Sequence, residues 1–146
     1  MLFAPENAIY NFLSRYLDDL IGIDLSLINT MVKVQGNILK TPFNDNSVSF
    51  VSCFHVIEHV SDDRAALAEL NRILLPGGKA VICVPVKFSS MKTIEFGKPN
   101  PLLEDHYYEY GLDIGDRLIE AKFCGTAFRL SKIILTNMYS RYSLQD

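Results

Sequence analysis

At 146 residues the chain is long enough for one domain with a substantial core and too short for two. With 49% hydrophobic residues and a formal charge of -3, disorder is excluded and there is no basic footprint for non-specific nucleic-acid binding. Three scattered cysteines, Cys53, Cys83 and Cys124, exclude a disulfide framework, and no stretch reaches the ~20 apolar residues of a membrane span. With no basic leader before an apolar run, a cytoplasmic protein is expected.

Met1 to Ala4 reads as a short strand, and Pro5 and Glu6 suit the first turn of a helix. Ala8, Ile9, Phe12, Leu13 and Tyr16 then form an apolar stripe that carries this helix to about Leu17. Leu20 to Ile23 is a second strand, closed by Asp24. Ile28 to Met31 reads as a short helix or turn, and Lys33 to Gly36 as an edge strand ending in Asn37-Ile38-Leu39. Thr41 to Ser47 is a turn-rich loop.

Phe50 to Pro85 forms the centre: strand, helix, Pro-Gly-Gly turn, strand. Ser61 is placed as the N-cap, with Asp62 and Asp63 in the first turn, where the helix dipole favours negative charge. Ala66, Leu67, Leu70, Ile73 and Leu74 share one face. Pro76-Gly77-Gly78 stops the helix and supplies a tight reversal. Ala80 to Val84 is uniformly apolar, as in a strand covered on both faces, and the whole is a right-handed βαβ unit.

From Val86 to Leu103 the pattern loosens into a long loop, followed by a polar and aromatic cluster from Glu104 to Gly111. Asp113 caps a helix carrying Ile114, Leu118, Ile119 and Ala121. Phe123 to Leu130 and Ile133 to Leu135 are the last strands, which sets a domain over 1–136 and a polar tail over 137–146. This alternation implies an open α/β sheet with helices on both faces and a ligand crevice at the carboxyl ends of the strands. Asp24 stands about twenty residues after the first strand-helix turn, where such folds place an acid for ribose hydroxyls. The glycine-rich turn that usually accompanies it is replaced by Ala4-Pro5-Glu6.

His55-Val56-Ile57-Glu58-His59 matches the H-x-x-E-H pattern of inverted zinc peptidases. On a helix His55 and His59 would share a face and bind zinc, with Glu58 as base, so a zinc hydrolase is a minor alternative. The pattern lies between a strand end and a helix cap, and His106 is the one histidine left as a third ligand, so no metal site is assigned.

Leu39 to Asp63, Arg64-Ala65-Ala66-Leu67 and Leu74-Leu75-Pro76-Gly77-Gly78 together resemble class I S-adenosylmethionine-dependent methyltransferases of the type 11/12-like group. Phe3-Ala4-Pro5-Glu6 is similar to a subgroup whose first loop reads APE, and Asp105-His106 and Tyr110-Gly111 to its D-H-x-R-x-Y-G segment, with Tyr108 in place of the Arg. The strand entry also departs, having Ser49 for the usual Asp. The resemblance implies a Rossmann-like, mostly parallel sheet, minimal at its N-terminus, with S-adenosylmethionine as cofactor. It implies that Ala4, Pro5 and Glu6 pass beside the methionine part, that Asp24 and Leu25 meet the ribose, and that Asn37 and Ile38 meet the adenine. Phe54 and His55 would line the cofactor and face the acceptor. His55 and His106 are the candidate general bases, because imidazole titrates near neutrality. The expected function is methyl transfer to a small molecule or biosynthetic intermediate. The alternative is a non-catalytic methyltransferase-fold binding protein. No nucleic-acid or membrane partner is expected, and the missing N-terminal cover predicts an exposed apolar patch and a homodimer.

Overall fold

The computed structural model describes residues 1–130 and 133–139, with side chains through Thr126. Seven strands form one sheet in the order β3-β2-β1-β4-β5-β9-β8. Its parallel half comprises β1 (Leu2–Phe3), β2 (Gly22–Asp24), β3 (Val32–Gln35), β4 (Val48–Phe54) and β5 (Leu74–Pro85). β9 (Ile133–Tyr139) and β8 (Cys124–Leu130) add to β5 as antiparallel strands. β9 carries paired backbone past residue 136, and the remainder of the expected tail, residues 140–146, lies outside the described residues.

β1 is only two residues long, yet it is paired on both sides: Leu2 with Gly22 and Ser52, Phe3 with Ile23 and Cys53. The chain order reverses here, with β2 and β3 to one side and β4 and β5 to the other. Gly22 is required by close approach, because a Cβ there would stand 2.2 Å from the Met31 carbonyl oxygen. The core follows the expected apolar sets. Ala66, Leu67, Leu70 and Ile73 of helix α2 (Asp63–Ile73) are fully buried, as are Val51, Cys53 and Ala80.

Five local expectations are corrected. Helix α1 (Asn7–Leu13) ends a turn before Leu17, and none of its residues is buried; Phe12 and the following Tyr16 are exposed. The α2 cap is Asp62, whose Oδ1 accepts from Ala65 N at 2.9 Å, while the Ser61 carbonyl accepts from the Tyr108 hydroxyl. Leu75 to Gly78 form a bulge within β5 rather than a turn before it: Val48 pairs with Leu74 but Phe50 with Lys79, and Gly77 takes φ +79°. Asp113 stands at the N-cap of α3 (Ile114–Glu120), but its Oδ1 accepts from Thr93 N and Oγ1 instead of capping the helix, and Ile119 faces solvent. The expected long loop contains an antiparallel hairpin of β6 (Ile94–Asn100) and β7 (His106–Glu109).

The hairpin is held by a buried polar network. Arg117, 5% exposed, donates to Asp63 Oδ2 at 2.6 Å and to Glu95 Oε1 at 2.7 Å. The Tyr110 hydroxyl donates to the same Asp63 oxygen, and Tyr108 stacks on Tyr110 beside the Arg117 guanidinium. A second network ties α2 to the loop before β4: Glu69 accepts from Thr41 N, Thr41 Oγ1 and Arg72, and Arg72 donates to the Phe43 carbonyl.

These networks make two predictions. Arg117→Ala leaves the Asp63 carboxylate buried without its cation and should cost about 3–5 kcal/mol in urea unfolding. The exposed Arg64→Ala should cost under ~1 kcal/mol, and equal costs would overturn this ranking. The Arg72 and Thr41 hydrogen bonds hold the Glu69 carboxyl down to about 2. A folded value below the unfolded one gives stability that is present above the unfolded value and lost as the pH falls from about 4 through about 2. Glu69→Gln should therefore remove on the order of 2 kcal/mol of that acid-side loss, measured as unfolding free energy against pH.

Candidate functional site

A cavity of about 220 Å³ opens at the carboxyl ends of β1, β2 and β4. The last ladder bonds of two of these strands run from Ala4 N to the Ile23 carbonyl and from His55 N to the Cys83 carbonyl. Immediately there the chain turns over: Ala4 takes φ +42° and His55 φ +52°, left-handed values that cost a non-glycine residue about 1–2 kcal/mol. Both residues line the cavity, with Asp24 and Leu25 from the end of β2 and Asn37 and Ile38 from the loop after β3. Of the other residues named from sequence, Pro5, Glu6 and Phe54 are not among the lining residues. Pro5 is buried, and its carbonyl accepts from Asn29 Nδ2 at 2.9 Å, which fixes the first loop against the turn before β3.

Asp24 is the one acid in the wall, and its carboxylate has no hydrogen bond or ion pair among the described residues. Asn37 is partly committed: its Oδ1 accepts from Leu39 N at 2.9 Å, which leaves the Nδ2 amide as the free donor. Ile38 is buried, and with Phe3 and Ile23 supplies an apolar wall. This donor set fits an adenosine: a free carboxylate for a diol, an amide donor for a ring nitrogen, and apolar area for a planar base.

His55 is held by both ring nitrogens. Nδ1 lies 3.1 Å from Glu58 Oε1, and Nε2 lies 3.8 Å from Cys83 Sγ. Burial, then the nearby Glu58, pushes the Cys83 thiol up to about 11, so it stays protonated and can donate to Nε2. Burial likewise pushes the Glu58 carboxyl up, opposed by its own backbone amide and by His55 and His59. His106 is not in the cavity wall; its ring meets that of His59 edge-on, with centroids 4.6 Å apart. Burial and then His59 lower its pKa.

His59, Val56, Val60 and Gly36 line the cavity but were not named as cofactor contacts from sequence. His59 is visible in the H-x-x-E-H pattern, which lies, as expected, between the end of a strand and a helix cap. Its second half forms a single 3-10 turn, Ile57–His59. Among the described residues, the group able to hold an ion is Glu58, His59 and His106, without His55. The paired-histidine arrangement of a zinc peptidase is therefore not formed. Tyr108 and Tyr110 are buried in the network under the hairpin and contribute packing.

Comparison with known proteins agrees with this architecture. The model of a methyltransferase domain family matches residues 7–82, just over half of the chain. An uncharacterized protein of Methanocaldococcus jannaschii is 36% identical over 89 residues, covering 58% of this chain and 39% of its own length. The ubiquinone/menaquinone biosynthesis C-methyltransferase UbiE of Shewanella sp. is 33% identical over 76 residues, 52% of this chain and 26% of that protein. The chain thus spans well under half the length of these relatives. Among solved structures, the 1,6-didemethyltoxoflavin-N1-methyltransferase of Burkholderia thailandensis, with bound 1,6-didemethyltoxoflavin and S-adenosylhomocysteine, superposes with a TM-score of 0.70. Its identity is 14%, over 95% of this chain and 70% of that one, so it speaks to the fold. The YcgJ protein of Bacillus subtilis gives a TM-score of 0.66 at 18% identity, over 88% and 63%. The chain belongs to the type 11 methyltransferase domain family, within the class I S-adenosylmethionine-dependent methyltransferases.

Proposed function

We propose that this domain binds S-adenosylmethionine in the cavity at the β1/β4 switch and transfers its methyl group to a small-molecule acceptor. The observation that carries the reading is Asp24: an uncommitted carboxylate at the end of β2, facing the same cavity as the Asn37 amide and Ile38. Asp24 accepts from the two ribose hydroxyls, Asn37 Nδ2 donates to an adenine ring nitrogen, and Ile38 packs on the base. When bound, S-adenosylmethionine supplies an electrophilic methyl group on a sulfonium. The chain's part is to orient the acceptor and exclude water, which is where most of the acceleration of an in-line displacement arises. Where the acceptor must lose a proton, His55 takes it on Nε2 by exchanging its 3.8 Å contact with the Cys83 thiol, with Glu58 holding Nδ1. The small-molecule acceptor of the Burkholderia structure supports this substrate class.

Exposed Phe12, Tyr16, Leu25, Leu27 and Ile28 support self-association. Sedimentation should show dimer growing with concentration, and a monomer at all concentrations would refute it.

Calorimetric titration should show binding of both S-adenosylmethionine and S-adenosylhomocysteine. Absence of heat with either ligand at about 1 mM, a binding energy of only ~4 kcal/mol, would overturn the proposal. Asp24→Ala should weaken binding at least ~10-fold through loss of charge-assisted hydrogen bonds; unchanged affinity would remove Asp24 from the site. Binding without turnover of any acceptor would favour the non-catalytic reading.

A further inference from the structure

The residues beside the cavity hold a feature that methyl transfer does not use. Glu58 is fully buried, and only its Oε1 is engaged, by His55; Oε2 has no hydrogen-bond partner. A buried carboxylate oxygen left unpaired is strongly unfavourable if ionised, so its neighbours are informative. Two imidazoles stand next to it. His59 follows in the same 3-10 turn, and His106 arrives from the start of β7. One donor atom from each of Glu58, His59 and His106 lies within 4.8 Å of the others. The edge-on packing of the two rings brings together imidazoles remote in sequence.

We propose that Glu58, His59 and His106 form a binding site for a divalent first-row transition metal, of which zinc is the best match. Two imidazole nitrogens and one carboxylate are a common zinc donor set, and three protein ligands leave a fourth position for water or another oxygen or nitrogen donor. Donors on a tetrahedral zinc stand about 3.3 Å apart, so the three groups close on an ion by side-chain rotation of about an ångström. Magnesium is a poorer match, because it favours oxygen ligands and octahedral geometry. His55 has a supporting role: its hydrogen bond to Oε1 orients the carboxylate and leaves Oε2 for the ion. His59 also lines the cavity, so an ion here sets a fixed positive charge at the edge of the crevice. The site requires the hairpin, because His106 reaches Glu58 only while β7 is docked.

The test needs no cofactor and stands apart from the methyltransferase reading. The metal-stripped full chain is titrated with cobalt(II), followed by its visible absorption, and cobalt is then displaced by zinc. The expected result is one equivalent bound, visible bands of a four- or five-coordinate ion, and no near-ultraviolet thiolate band. His59→Gln and His106→Gln should each weaken binding at least ~10-fold. A second readout uses the unmutated chain: zinc should protect His59 and His106 from diethyl pyrocarbonate, located by peptide mass spectrometry. No binding at about 100 µM metal, a thiolate band assigning the ion to cysteines, or unprotected His59 and His106 would each overturn the proposal.

Discussion

The constraint on which the rest depends is the pairing of β1, two residues long, between β2 and β4. A parallel strand in that slot has its neighbours' ends brought level with its own. Phe3 stands beside Ile23 and Cys53, so β1 ends level with β2 and β4, which run only one residue further, to Asp24 and Phe54. Gly22 permits the approach of β3, since any side chain there would meet the Met31 carbonyl. The cavity is therefore a product of register. The positive φ angles of Ala4 and His55 follow from the same cause, because the chain must turn sharply away once its last ladder bond is made.

The buried Arg117–Asp63 pair is the second organising contact, and it acts on a different part of the molecule. It joins the start of α2, helix α3 and, through Glu95 and Tyr110, the hairpin and the residue that follows it. A buried ion pair contributes little net stability over an apolar pair of the same shape, but it permits one arrangement and penalises others. Here that arrangement brings His106 against His59, at the rim of the cavity. The geometry of the cavity and of the cluster beside it is thus set by separate interactions, one in the sheet and one between the layers above it.

Asn37 illustrates how local hydrogen bonding redefines a residue's role. An asparagine in that position can offer a base either an acceptor or a donor. The Leu39 amide engages its Oδ1, which leaves the Nδ2 amide as its uncommitted donor. His55 is similar: imidazole chemistry is legible from its identity, but the carboxylate on Nδ1 and the thiol near Nε2 come from the fold.

The parallel core was legible in the sequence because its signals are local and repeat. The face of Ala66, Leu67, Leu70 and Ile73 has helical period, and Ala80 to Val84 is uniformly apolar; all but the half-buried Val81 are buried as expected. Asp24 could be named from its spacing after the first strand-helix turn, whereas Asn37, Ile38 and His55 were named through the family resemblance. The hairpin was not legible, since Gly97, Pro99 and Pro101 interrupt its pattern and its stability comes from Arg117 and Asp63, far away in sequence. The α1 stripe misled, because periodicity reports an apolar face and not whether anything covers it. The sequence by itself determined the strands of the parallel core, the central helix and the chemistry available at the strand ends. Only the tertiary structure decided which histidine meets which carboxylate, because those contacts join residues that no local pattern relates.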